Sequence, residues 1–492
     1  MLGSVSAGLP RLVSPRPRAE LDQALAALRQ TLELPGEFAP EVIAEAERAV
    51  EATPVDPATA GVDDLRDVEF LTIDPPGSTD LDQALHLERT PDGAVLQYAI
   101  ADVPAFVTPH GAVDVEARLR AQTLYAADGR IPLYPAELSE DAVSLLPAVD
   151  RRAYVWRFVL DDGARPVETT LRRAIVRSRA QWTYADAQKA IDDQSAPESL
   201  RALEWFGEQR AQREHERGGA SLNVPEAEVV ADDGGYELVR RVLLPVEEWS
   251  AQVSLLTGMA AAEIMLDGGI GILRTMPPAG VADVEAFRVQ TEALGMPWTD
   301  DIAYGDYLRG LDRSDPTALA VLNAAGSLFR GAGYVAFDGT SPVDAIQAAI
   351  GAPYAHVTAP LRRLVDRWVL VICEALANGS PVPTWARESM AEIPKLMDRS
   401  TQKANRLDAA TIDRVEAAVL HNRVGDDVTA IVLARRDGGA RVQLTAAPVD
   451  EFVDGLTAVP GSTVSVRVVR ADISTGEVVL APTPPDHASP QR

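Results

Sequence analysis

Cysteine is all but missing. Cys373 is the single one in 492 residues, so the chain cannot close a disulfide within itself. It lies in the apolar run WVLVICEAL and reads as a core residue, not as a metal ligand or nucleophile. The six histidines show no zinc-ligand spacing, and no serine or cysteine nucleophile elbow is present. No apolar run approaches the ~18 residues of a membrane span. The first residues, MLGSVSAGLPRLVSPRPRAE, lack the apolar centre of a secretory signal. These absences lead to the expectation of a cytoplasmic protein with no membrane partner. Positive charge is also in deficit, with 46 Lys and Arg against 73 Asp and Glu, a net −27. Such a balance argues against broad phosphate binding, but it does not exclude a local arginine-lined site inside an acidic shell.

What is present suits a globular protein: 46% hydrophobic and 24% charged residues. The length is that of roughly three domains. Residues 1–60 read as a Pro- and Ser-rich tail followed by a helical hairpin, with Leu21, Leu25, Leu28 and Leu32 on one stripe and Pro40 near the second start. Residues 61–420 mix strands and helices, among them the strand VLQYAIADV and a long helical stretch from Pro245. Residues 421–482 turn to short strands, with a hairpin around Asp437-Gly438-Gly439, and read as a small β-barrel. Residues 483–492 read as a disordered tail.

Two stretches carry chemistry. The first, TIDPPGSTDLDQAL (Thr72–Leu85), follows the strand-like run VEFLTI and gathers Asp74, Asp80 and Asp82. Clustered carboxylates repel one another unless some hold protons or a cation joins them, and hard divalent ions favour such oxygens. Pro-Pro-Gly followed by Thr79-x-x-Asp82 is equally the pattern of a turn with a capping box that opens a helix. Spacing leaves both readings open. The second stretch is YAHVTAPLRRLVDRW (Tyr354–Trp368). Pro360 fits a first helical position, and Leu361, Leu364, Val365 and Trp368 form an apolar stripe. Arg362 and Arg363 then lie either on a solvated face, with an Arg362–Asp366 pair, or at a helix start suited to an anion.

Both stretches resemble motifs of the ribonuclease II and ribonuclease R family, 3′-to-5′ exoribonucleases with an RNB catalytic domain. YAIADVPAFV, TLYAADGRIPLYPAELSEDAVSLLP and PVEEW resemble further family segments in the right order. The resemblance runs from about residue 62 to 482. It implies an α+β architecture: a mixed-sheet RNB catalytic domain with surrounding helices, a C-terminal OB-fold barrel and a short helical N-terminal segment. The family's pair of N-terminal cold-shock barrels does not fit into residues 1–60.

The resemblance implies that Asp74, Asp80 and Asp82 hold Mg²⁺, with Mn²⁺ as a substitute, and that Asp82 is the acid on which cleavage most depends. Gln83 stands where the family has a fourth acid, so one ion should bind more weakly or through water. Arg362 matches the arginine that contacts the scissile phosphate, with Arg363 beside it. Tyr125 and Tyr184 match RNA-channel tyrosines, and Leu222 falls where the family has a base-wedging phenylalanine. Glu247 or Glu248 matches a channel acid, and Asp408 a late acid near the site. His356 and Thr358 shape the turn. The implied reaction is 3′-to-5′ hydrolysis of single-stranded RNA to nucleoside 5′-monophosphates. The alternative is an RNA-binding pseudoenzyme disabled by Gln83. Phe452 is the only aromatic residue of the C-terminal barrel, so RNA grip should rest on the catalytic channel.

Overall fold

The computed structural model describes residues 15–220, 226–232, 235–241, 243–312, 315–447 and 449–483. Leu222 and the expected terminal tails lie outside the described residues, apart from Pro15–Arg18 at the end of the first and Thr483. Five strands close the first barrel: β1 (Asp63–Asp74), β2 (Gln83–Thr90), β3 (Gly93–Ala101), β4 (Asp150–Leu160) and β5 (Pro166–Thr183). Each strand pairs antiparallel with the next. β5 then returns parallel to β1, from Asp63↔Ala174 to Asp74↔Thr183, and this makes the sheet mixed. Closure leaves no exposed edge. Phe70–Ile73 is a continuous buried run, as expected for a strand covered on both faces.

The connection from β1 to β2 crosses one end of this barrel. Gly77 adopts φ +78 there, a conformation that glycine reaches without a Cβ clash. No helix opens after Thr79; Asp80 to Asp82 run as irregular chain into β2. The capping-box alternative is therefore not what forms. Ser144 instead fixes the loop, since its Oγ accepts from Leu81 N–H at 2.9 Å and donates to the Thr79 carbonyl at 2.6 Å.

Two helices pack behind the site. The helix Leu364–Ala377 is buried along nearly its whole length. The helix Pro245–Gly268 packs beside it, and Gly258 lets the turn before the first helix approach closely. A Cβ at Gly258 would stand 2.1 Å from the Tyr354 ring, and its carbonyl accepts from Ala355 N–H at 3.0 Å. Arg367 and Asp114 form an ion pair with both side chains at 0% exposure.

The second barrel comprises β6 (Asp427–Arg436), β7 (Gly439–Leu444), β8 (Asp450–Asp454), β9 (Thr463–Asp472) and β10 (Glu477–Pro482). Its order β6-β7-β8-β10-β9 closes through β9 against β6, an OB-like arrangement. Phe452 is 43% exposed on it. The helix Ile393–Leu420 spans between the barrels and packs on β9 and β10.

The N-terminal helices, Pro15–Thr31 and Pro40–Ala52, do not share one core as the hairpin reading expects. Leu21, Ala24 and Leu25 join the core of the second barrel, whereas Val42 and Ala46 join that of the first. Their apolar faces are claimed by different surfaces, so the pair ties the two barrels together.

Glu416 sits in the seam between the helix Ile393–Leu420 and the second barrel, 7% exposed. Burial, with Glu451, Asp450 and Asp413 adding repulsion, pushes it up to about 8. The folded chain thus keeps a proton that the unfolded chain releases near 4.5. The seam is most stable below that value and loses stability as pH rises through about 8. The melting midpoint should therefore fall over this window, and Glu416→Gln should flatten the fall. A parent and variant whose midpoints differ by the same amount at every pH would refute it.

Candidate active site

The end of the first barrel and the turn before the helix Leu364–Ala377 meet across a long stretch of chain. Asp82, 2% exposed, accepts from Leu361 N–H through Oδ1 and from Arg362 Nε through Oδ2, both at 2.7 Å. Burial pushes Asp82 up to about 7, and Arg362 opposes that rise. Asp82 in turn helps hold the Arg362 guanidinium charged.

The helix begins at Leu364, four residues after Pro360. Ala359 to Arg363 form a tight turn that the apolar stripe alone predicts as helix. Tertiary hydrogen bonds override that tendency: Thr123 N–H donates to the Arg362 carbonyl and Leu364 N–H to the Ala121 carbonyl, each at 2.9 Å. Arg363, not Arg362, pairs with Asp366, in a bidentate contact of 2.8 and 2.9 Å. Asp366 also accepts from Ala359 N–H at 2.7 Å, so Arg363 is committed to bracing the turn.

Gln83, the first residue of β2, donates from Nε2 to the Thr358 carbonyl at 2.5 Å. This amide acts as a strut between β2 and the turn, and a carboxylate could not make the same bond. His356 is half-buried and within hydrogen-bond distance of the Tyr334 hydroxyl, 2.7 Å from Nδ1. Desolvation and the nearby Arg363 and Arg274 charges push His356 well below its usual value.

Asp74 closes β1. Its Oδ2 is buried and has no hydrogen-bond partner, and burial pushes the carboxyl up to about 6. An orphaned carboxylate oxygen of this kind suits a hard cation. Asp80 is ion-paired to Arg130. No group of three or more acids, histidines and cysteines is drawn together in metal-ligating geometry among the described residues.

A cavity of about 570 Å³ opens on the turn around Arg362. Gln83, Tyr125, Ser254, Arg362, Arg363 and Asp408 are on its wall. Tyr125 is 52% exposed and lies against Arg362. It is carried by a two-stranded hairpin, Leu124–Ala126 with Gly129–Ile131. Tyr184 is packed against the main core instead, and Glu247 and Glu248 border a separate cavity of about 480 Å³. Gln122 and Ser254 belong to no motif and escape a reading of the sequence, because only the folded chain brings them to this wall; Arg130 lies in the family-like stretch Thr123–Pro147, but only the fold sets it against Asp80.

Residues 62–378 match the RNB domain model, and residues 426–483 match the RNase II-type exonuclease C-terminal S1 domain. The chain belongs to the RNB family. It is 27% identical over 398 residues to "Exosome complex exonuclease RRP44 homolog A" of Arabidopsis thaliana, covering 76% of this chain and 42% of that protein. The chain thus spans less than half that relative's length. In structure it resembles Mycoplasma genitalium RNase R in complex with ribose methylated single-stranded RNA, with TM-score 0.84 and 18% identity, over 94% of this chain and 78% of that one. It also resembles yeast Ssd1, a pseudonuclease, with TM-score 0.68 and 16% identity, over 82% and 51%. These likenesses share one fold between a nuclease and a pseudonuclease, so the site's own geometry must carry the functional argument.

Gln83→Glu preserves length and removes the N–H donor, leaving the Thr358 carbonyl facing a carboxylate. It should destabilise the fold by about 1–3 kcal/mol, read as a lowered thermal midpoint. An unchanged midpoint would show that the Gln83–Thr358 bond contributes nothing in solution.

Proposed function

We propose that this RNB-family chain is a 3′-to-5′ exoribonuclease that hydrolyses single-stranded RNA to nucleoside 5′-monophosphates. The observation that carries the reading is the Asp82–Arg362 pair at 2.7 Å, joined across 280 positions, with Arg362 on the wall of the cavity that Tyr125 shares and Asp82 buried behind it. In this reading residues 61–420 are the catalytic unit and 421–482 the OB-fold RNA-binding unit.

Arg362 keeps one N–H on Asp82, and its side chain remains 42% exposed. The rest of the guanidinium is available to charge that develops on phosphate oxygens. Asp82 orients it and holds it charged. Tyr125 offers a face for the terminal base, since aromatic stacking serves any base. Arg363 serves RNA indirectly by shaping the turn. Tyr184 and Leu222 are the further RNA-channel positions of this reading.

Asp74, with Asp80 and Asp82, would hold Mg²⁺ or Mn²⁺, and the bound ion would supply Lewis-acid stabilisation and an activated water. Gln83 adds no charge to that set. Its amide is committed to the Thr358 carbonyl, which favours a second reading, an RNB-fold protein that binds RNA without cutting it.

The discriminating experiment uses 5′- and 3′-labelled single-stranded RNA with Mg²⁺ or Mn²⁺. The parent should release mononucleotides from the 3′ end, and Asp82→Asn should slow this by at least about 100-fold. RNA bound yet uncut under every metal condition would leave only the second reading. Tyr125→Ala should weaken binding of a short RNA, read by fluorescence anisotropy, by about 1–3 kcal/mol. Equal affinity would remove Tyr125 from the RNA path.

A further inference from the structure

Arg130 lies outside both motifs, yet its guanidinium bridges three groups beside the site. Nη1 is ion-paired with Asp80. Nη2 donates to Thr79 Oγ1 at 2.8 Å and reaches Glu140 Oε1 at 2.7 Å. Thr79 Oγ1 in turn donates to Glu140 Oε2 at 3.1 Å. An acid at an expected metal position therefore already carries a fixed cation.

The placement is built. Arg130 is the cross-strand partner of Tyr125. Their hairpin is seated by Leu124 and Ile131, which pack with Leu28 of the helix Pro15–Thr31 and Leu407. Arg29 of that same helix ion-pairs with Asp128 at the hairpin tip, at 2.6 Å. The side chains of Arg130, Asp80 and Glu140 are 26%, 12% and 33% exposed, so a dissolved ion can reach them.

A cation on Asp80 opposes a second cation there by direct repulsion and by neutralising the ligand. Glu140 and Thr79 offer the guanidinium a second seat that it already half occupies. Resting on the reading of Asp74, Asp80 and Asp82 as the metal position, we propose that Arg130 is a tethered counterion of that position. It holds Asp80 while no divalent ion is bound, and it shifts onto Glu140 and Thr79 when one enters. The protein thereby takes up its ion more weakly than its aspartates alone would allow.

The test measures Mn²⁺ binding to the full chain without RNA, from the paramagnetic resonance signal of free Mn²⁺. Arg130→Gln should lower the Kd by about fivefold or more. Glu140→Gln removes the second seat and should raise the Kd in the parent, but leave it unchanged when Arg130 is already replaced. Glu140 is partly exposed, so its variant should fold even if Arg130→Gln does not. An unchanged or higher Kd for Arg130→Gln would overturn the proposal. So would an equal effect of Glu140→Gln in both backgrounds, which is bulk electrostatics. If no variant binds Mn²⁺, the metal reading falls with it. If RNA is cut while all variants bind Mn²⁺ equally, this inference alone fails.

Discussion

A carboxylate buried to 2% exposure needs a partner, and Asp82 finds two from the far side of the sequence: the Leu361 N–H and the Arg362 guanidinium. Removing one member of a buried charge pair leaves the other desolvated and unpaired, at a cost of several kcal/mol. This one contact sets the distance between the end of the first barrel and the turn ahead of the arginine-bearing helix. It also decides that Arg362 faces the cavity with its remaining N–H groups instead of lying on a solvated helix face.

The turn around it is determined several times over. Gln83 holds the Thr358 carbonyl, Asp366 holds the Ala359 N–H, and the segment Ala121–Thr123 pairs with Arg362 and Leu364. One of these bonds, from Leu364 N–H to the Ala121 carbonyl, satisfies a donor that the helix start leaves open. Because the same segment runs straight into the hairpin of Tyr125, the aromatic face and the arginine are positioned by a single set of hydrogen bonds. Gly258 allows the neighbouring helix to close on the turn without a clash.

Charge is balanced group by group. Asp82 has Arg362, Asp80 has Arg130, and Asp74 keeps an oxygen with no partner. In an acidic protein of net −27, this pairing offsets two of the three carboxylate charges at this end of the barrel. The first N-terminal helix takes part at a distance, since it braces the hairpin through Arg29 and Leu28 while its other residues complete the core of the second barrel.

Local sequence determined the strand ending at Asp74, the acid-rich turn after it, the hairpin at Asp437-Gly438, and the motif pair that places the chain in its family. Those features rest on period, turn chemistry and spacing, which are properties of neighbouring residues. The tertiary structure decided the rest. The apolar stripe from Leu361 reads as helix from Pro360, but bonds from Thr123 and to Ala121 hold the first residues as a turn. Asp366 chose Arg363 over Arg362, and Gln83 became a strut to Thr358. Arg130 entered the site through a cross-strand pairing with Tyr125. The two N-terminal helices went to different cores. In most of these cases the deciding partner lies far away in the chain, and the cost of an unpaired buried polar group or an uncovered apolar face acts only once folding brings the two together.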